Sequence, residues 1–133
     1  MISTKGRYAL RVMIDLAEQD AEKFVPLEEI AARQGISKKY LEIVLKSLVR
    51  QNFLRGLRGK GGGYKLTRNP EEYNVAEILE VTEGAFAVVS CLQTEAAPCE
   101  RKTFCKTLPM WEKFNQLAHD FFSGITLKDL TEK

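Results

Sequence analysis

The sequence predicts a mainly α-helical chain with one small β-hairpin, and three observations carry that reading. Apolar residues recur at three- and four-residue spacing through most of the chain, as on helices with one buried face. A glycine-rich run, Gly59-Lys60-Gly61-Gly62-Gly63, separates two short stretches with the composition of strands. An aromatic-rich segment over residues 110–122 supplies a broad apolar stripe.

The first helix is expected from about Thr4 to Glu18, burying Ala9, Val12, Met13, Leu16 and Ala17. Arg7 and Arg11 lie off that stripe, where they either touch phosphates or form a solvated face. Pro26 marks the next helix start, since a first-turn residue needs no amide hydrogen. That helix, Leu27 to Arg33, turns Ile30 and Ala31 inward and ends at Gly35, which can take a left-handed conformation. Ile36 plugs the corner, and Ser37 is placed to cap a third helix, Lys38 to Gln51. Leu41, Val44, Leu45 and Leu48 form its buried side; Lys38, Lys39, Glu42 and Lys46 lie opposite. Ala31, Gly35 and Leu41 have the spacing of a helix–turn–helix, with an unspecialised helical hairpin as the plain alternative.

Phe53 to Arg58 and Tyr64 to Thr67 read as two strands whose glycine-rich connector resembles the wing of a winged helix. A nucleotide phosphate loop is excluded, because Gly59-Lys60 is followed by glycines and a strand rather than Ser/Thr and a helix. Asn69-Pro70 breaks the second strand. Asn74 then caps a helix, with Glu77 three residues on, that buries Val75, Ile78 and Leu79 and stops at Gly84. A short apolar stretch, Phe86 to Val89, follows. A long helix begins near Pro109 and presents Met110, Trp111, Phe114, Leu117, Ala118, Phe121 and Phe122. Thr126 caps a short last helix, Leu127 to Leu130. The architecture expected is a winged helix–turn–helix over residues 1–84, followed by a cysteine loop and a long C-terminal dimerisation helix over residues 85–133.

The chain of 133 residues carries a net charge of only +2, but the charge is unevenly placed. Arg33, Lys38, Lys39, Lys46, Arg50, Arg55, Arg58, Lys60, Lys65 and Arg68 make ten cations against one acid, Glu42, a local balance of +9. The remainder holds ten basic and seventeen acidic residues, a balance of −7. Positive charge gathered in one segment is the footprint of a phosphate-binding face. Scattered charges near the N-terminus argue against a signal peptide, and no apolar run approaches the ~20 residues that span a bilayer. Three cysteines without an export signal argue for reduced thiols in the cytoplasm rather than a disulfide framework.

Those cysteines, Cys91, Cys99 and Cys105, all fall within fifteen residues. Thiolates suit iron–sulfur clusters, and the Cys-x-x-Cys knuckles that zinc prefers are absent. Three ordinary cysteines with no metal remain the alternative. With one histidine in the chain, His119, no histidine–carboxylate catalytic pairing can be argued, and no enzyme is expected.

The order of these elements resembles the bacterial winged-helix regulators typified by IscR and NsrR. The resemblance rests on Lys5-Gly-Arg-Tyr-Ala-Leu-Arg11, Val25-Pro-Leu with Ile30-Ala, and Gln34-Gly-Ile-Ser37 with Tyr40-Leu-Glu42. Arg58-Gly-Lys-Gly-Gly-Gly-Tyr64 and Ile125-Thr-Leu-Lys-Asp-Leu130 extend it over nearly the whole chain. It implies a homodimeric transcription factor whose long C-terminal helices cross between subunits. It also implies that Cys91, Cys99 and Cys105 hold an iron–sulfur cluster, the two-iron, two-sulfur form favoured and its fourth ligand unidentified. Two departures stand out. The histidine that IscR-like members place three residues after the last cysteine is here Leu108, and the position of the N-terminal aspartate of NsrR-like members is Arg7. His119 lies about four turns beyond Cys105 and is better placed as a partly exposed helix residue than as a ligand.

The partner expected is double-stranded DNA with a palindromic operator, which two copies of a small reader can grip. Ser37, Lys38, Lys39, Tyr40, Glu42 and Lys46 fall at or near the major groove. Arg58 and Lys60 serve the wing, and Arg7, Arg50 and Lys65 the phosphate backbone. Glu42 either accepts a hydrogen bond from a cytosine amino group or pairs with Lys38 or Lys46. Two further readings stay open: a cluster-free regulator controlled by thiol oxidation or a protein partner, and a protein-interaction winged helix.

Overall fold

The computed structural model describes residues 2–83 and 103–132. Helix α1, Thr4–Ala17, starts where the Ser3 side chain accepts a hydrogen bond from the Gly6 amide, and it buries Ala9, Val12, Met13 and Leu16. Helix α2, Leu27–Gln34, follows Pro26, whose extended ψ of 147° makes it the N-cap, one place before the first-turn position expected. Gly35 takes the left-handed conformation at φ 64° and turns the chain sharply. Ile36 is buried in the corner. The Ser37 hydroxyl accepts from the Tyr40 amide and opens helix α3, Lys38–Arg50, whose buried side is Leu41, Val44, Leu45 and Leu48. The helix–turn–helix thus forms as its caps and periodicity dictate.

Strands β1, Leu54–Leu57, and β2, Gly63–Leu66, pair antiparallel from Leu54↔Leu66 to Leu57↔Gly63. Periodicity did not reveal their third partner. Val25, before α2, exchanges both backbone hydrogen bonds with Tyr64, at 2.8 and 2.9 Å, and so pins β2 to the helical core. The bridge passes so close that a Cβ on Gly63 would run into the Val25 carbonyl. A 3-10 turn over Pro70–Glu72, also unforeseen, then leads to Tyr73. The Tyr73 hydroxyl, buried in the core, donates to the Phe53 carbonyl at 2.8 Å and accepts from the Thr67 and Arg68 amides at 3.0 and 3.1 Å. One phenol therefore ties the base of the hairpin together. Helix α4, Val75–Glu83, has the expected reciprocal cap: the Glu77 amide donates to Asn74 Oδ1 at 2.9 Å and the Asn74 amide to Glu77 Oε2 at 3.4 Å.

Gly84 and the stretch from Phe86 to Val89 lie outside the described residues. Helix α5, Leu108–Ser123, carries Pro109 in its first turn and packs against α4, yet buries none of its residues. Gly124 ends it, and Thr126 caps helix α6, Leu127–Thr131, in a capping box with Asp129. Helix α6 returns to the head: Leu127 is fully buried, its amide donates to the Tyr73 carbonyl, and the Val75 amide donates to the Ile125 carbonyl. A division after residue 84 places α6 with the second unit, whereas its packing ties it to the first. No helix among the described residues is long and apolar enough to cross a membrane.

Candidate nucleic-acid interface

With Leu41, Val44, Leu45 and Leu48 in the core, the outward ridge of α3 is left to Lys39, Ile43, Lys46 and Arg50, all exposed. Glu42 stands on its shoulder. Across from it rises the hairpin, whose tip over residues 58–62 holds Arg58 and Lys60, both exposed. Between helix and hairpin runs a groove of about 900 Å3, walled by Glu42, Lys46 and Arg50 on one side and Arg58 on the other. The first turn of α2 closes its end with Glu28. The geometry is that of an exposed helix and a cationic arm on either side of a channel, so a polyanionic strand in it meets cations from both walls.

The residues singled out from sequence do not all play the same part. Ser37, Lys38 and Lys39 are exposed at the start of α3. Tyr40 is half-buried, and its ring stands edge-on to Tyr8 with centroids 5.5 Å apart, bracing α3 against α1. Arg7 is exposed one residue earlier on α1 and donates to Thr4 Oγ1 at 3.3 Å. Arg11, the neighbour suggested beside it, is turned inward. It lies over the Tyr8 ring and donates to both the side chain and the carbonyl of Gln34.

Two cations of the basic run are neutralised within the fold. Arg33 makes paired hydrogen bonds to Asp15, at 2.9 Å to Oδ2 and 2.8 Å to Oδ1, and Gln34 Nε2 donates to the same carboxylate at 2.9 Å. Asp15 is the one buried charged residue among those described, and its side chain accepts every one of these bonds. The carboxylate holds the Arg33 guanidinium above its ordinary pKa, through the hydrogen bond first and its charge second. Arg68 pairs with Glu77 at 2.7 Å and stacks on the Phe53 and Tyr73 rings. Lys65 lies over the Phe24 ring, which limits its reach as a backbone contact. Apart from Arg33, whose side chain is held by Asp15, the exposed cations of the basic run are Lys38, Lys39, Lys46, Arg50, Arg55, Arg58 and Lys60. Arg55 enters the sequence reading only through its charge, with no site assigned to it. Arg55 follows the buried Leu54 on β1 and is exposed, as are Gly56 and Leu57 after it.

Of the three cysteines, Cys91 and Cys99 lie outside the described residues. Cys105 is half-buried, three residues before α5, with its Sγ 3.3 Å from Thr107 Oγ1. Leu108, three residues after Cys105, is the first residue of α5 and offers no donor. His119 is partly exposed, as expected, and its Nε2 lies 3.5 Å from Glu80 Oε1, linking α5 to α4. Among the described residues no group of three or more histidine, cysteine, aspartate or glutamate side chains gathers as a metal site.

Residues 2–133 match the Rrf2 family, described as iron-dependent transcriptional regulators. The transcriptional regulator IscR of Aliivibrio salmonicida is 34% identical over 129 residues, which cover 97% of this chain and 76% of that protein. The IscR structure from T. potens superposes with a TM-score of 0.79 at 33% identity, covering 99% of this chain and 86% of that one. CymR, the global cysteine regulator of B. subtilis, superposes with the same TM-score at 30% identity, covering 99% and 96%. With a winged-helix head, an outward cationic helix, a family match over residues 2–133 and relatives that are HTH-type transcriptional regulators, the chain belongs to the Rrf2 family of transcriptional regulators.

Proposed function

We propose that two copies of this chain bind a palindromic operator through α3 and the wing, and that Cys91, Cys99 and Cys105 report iron–sulfur status. The observation that carries the reading half is the groove with exposed cations on both walls, while Arg33 and Arg68 at the ends of the basic run are paired with Asp15 and Glu77. Arg7, Ser37, Lys38, Lys39, Glu42, Lys46, Arg50, Arg58 and Lys60 are assigned to DNA, with Tyr40 holding α3 in place. Homodimerisation is supported by α5, where Met110, Phe114, Leu117 and Phe121 are 46–65% exposed on the single chain. Such a row of large apolar side chains is poorly served by water and well served by its twin.

The donor set suits an iron–sulfur cluster, since three soft thiolates are the ligands such clusters take. Cys91, Cys99 and Cys105 would hold it, and its redox and ligand-exchange chemistry would supply the signal. Leu108 supplies no fourth donor, so that position would fall to a carboxylate such as Glu95 or Glu100, a partner-subunit group, water or a small thiol. The same departure favours a second reading in which the thiols act by oxidation without a cluster.

Two measurements test these readings. DNA affinity should fall by about 10³–10⁵ between ~50 and ~200 mM salt if roughly 6–10 phosphates are contacted, and salt-independent binding refutes the DNA half. Protein purified without oxygen should be coloured and contain iron, and Cys99→Ala should abolish both. Colourless, iron-free protein that still responds to a thiol oxidant selects the second reading.

A further inference from the structure

The outward ridge of α3 consists of Lys39, Ile43, Lys46 and Arg50, at the spacing of one helix face. Three are cations. Ile43 is not, and it is 50% exposed. A lone exposed apolar residue ordinarily says little; here the position gives it content. Seven large hydrophobics among the described residues are strongly exposed, and five of them, Phe104, Met110, Phe114, Leu117 and Phe121, lie on α5 or just before it. Leu57 is on the wing. Ile43 alone stands on the outward ridge of α3. Isoleucine is also a poor choice for a merely solvated helix surface, since β-branching lowers helix propensity below that of lysine, glutamate or glutamine. The same branching holds the side chain to one strongly preferred rotamer, so the methyl groups are presented rigidly. One turn on, the Ser47 hydroxyl donates back to the Ile43 carbonyl at 3.3 Å and is thereby turned to the helix backbone.

Base edges in the major groove present donors and acceptors, with one apolar exception, the C5 methyl of thymine. We propose that Ile43 is a specificity-determining residue that packs against a thymine methyl in each half-site, with Lys39 and Lys46 on the flanking backbone. This rests on α3 being the DNA-reading helix. The test uses a duplex selected from a random pool by the full-length protein, with each thymidine replaced in turn by deoxyuridine, which lacks only the methyl. One position per half-site should show a loss of about three- to tenfold, the size expected from uncovering one or two methyl-sized groups. Ile43→Ala should bind the unmodified duplex more weakly by a similar factor and lose nothing further on the deoxyuridine duplex, while Ile43→Val keeps the preference. Because the side chain is exposed, both variants should melt with the parent. The proposal is overturned if no thymidine matters by more than about twofold, or if Ile43→Ala remains as sensitive to deoxyuridine as the parent. A pool that yields no preferred duplex overturns the assignment of α3 itself, and this inference with it.

Discussion

Replacing Arg33 with methionine separates two roles that its charge alone would merge. A count of cations places Arg33 on the phosphate-binding face; its guanidinium is instead spent on Asp15, at 2.9 and 2.8 Å. The partners are unequally placed, the Asp15 side chain being 2% exposed and that of Arg33 36%. Removing Arg33 strands a carboxylate in the core with the Gln34 amide, at 2.9 Å, as its remaining side-chain donor. Breaking a buried pair in this way costs about 3–5 kcal/mol, and the Gln34 bond should hold the loss near 3 kcal/mol. Asp15→Asn leaves Arg33 free to turn to water, so its cost is about 1–2 kcal/mol. Urea unfolding followed by circular dichroism should rank Arg33→Met below Asp15→Asn. At roughly 4 °C per kcal/mol for a chain of this size, its Tm should fall by about 10 °C. Measured well below that temperature, its DNA binding should keep the parent's salt slope, whereas Lys46→Ala, which removes one phosphate contact in each half-site, lowers the slope by about 1.8. An Arg33→Met variant that melts with the parent but has a reduced salt slope would refute the reasoning.

Tyr73→Phe removes the hydroxyl that serves the Phe53 carbonyl and the Thr67 and Arg68 amides, and should cost about 3 kcal/mol in urea unfolding; a change below ~1 kcal/mol means water replaces it. Gly35→Ala meets open space and should cost only the left-handed backbone penalty, about 1–2 kcal/mol. Gly63→Ala must also displace the Val25 backbone and should cost more, with equal losses counting against the Val25–Tyr64 bridge. Phe114→Glu places a charge in the exposed row on α5 and should yield monomers in sedimentation at micromolar concentration; an unchanged dimer moves the interface elsewhere.

What could be foreseen from sequence was what is local. Helix α3 announces itself by Ser37 at its cap and four apolar residues on one side, and α4 by the Asn74–Glu77 exchange, because both signals act within one turn. The buried acid at Asp15 was not foreseen. Its partner Arg33 lies eighteen residues away, and nothing near Asp15 distinguishes it from a solvated helix carboxylate. The same distance effect led the basic run to be overcounted, since Arg68 finds Glu77 only once the 3-10 turn folds the chain back. Nothing in the local sequence marks Val25 as a strand residue, although a single bridge makes it part of the hairpin. Ile43 was passed over for a different reason: helical periodicity identifies what is buried, and an apolar residue outside the stripe is invisible to it.

The return of the chain through α6 gives the long helix a mechanical setting. Helix α5 is anchored at its far end by Leu127 and by the Ile125–Val75 hydrogen bond, and alongside by its packing on α4. At 16 residues it is a rod of ~24 Å. A tilt of ~5° about the anchored end displaces the tip next to Cys105 by ~2 Å. Tyr73 and Val75 are the residues that hold the anchored end, so they would bear any such displacement. Tyr73 clamps the root of the wing, so the anchor of α5 and the footing of the hairpin proposed to face DNA are the same few residues.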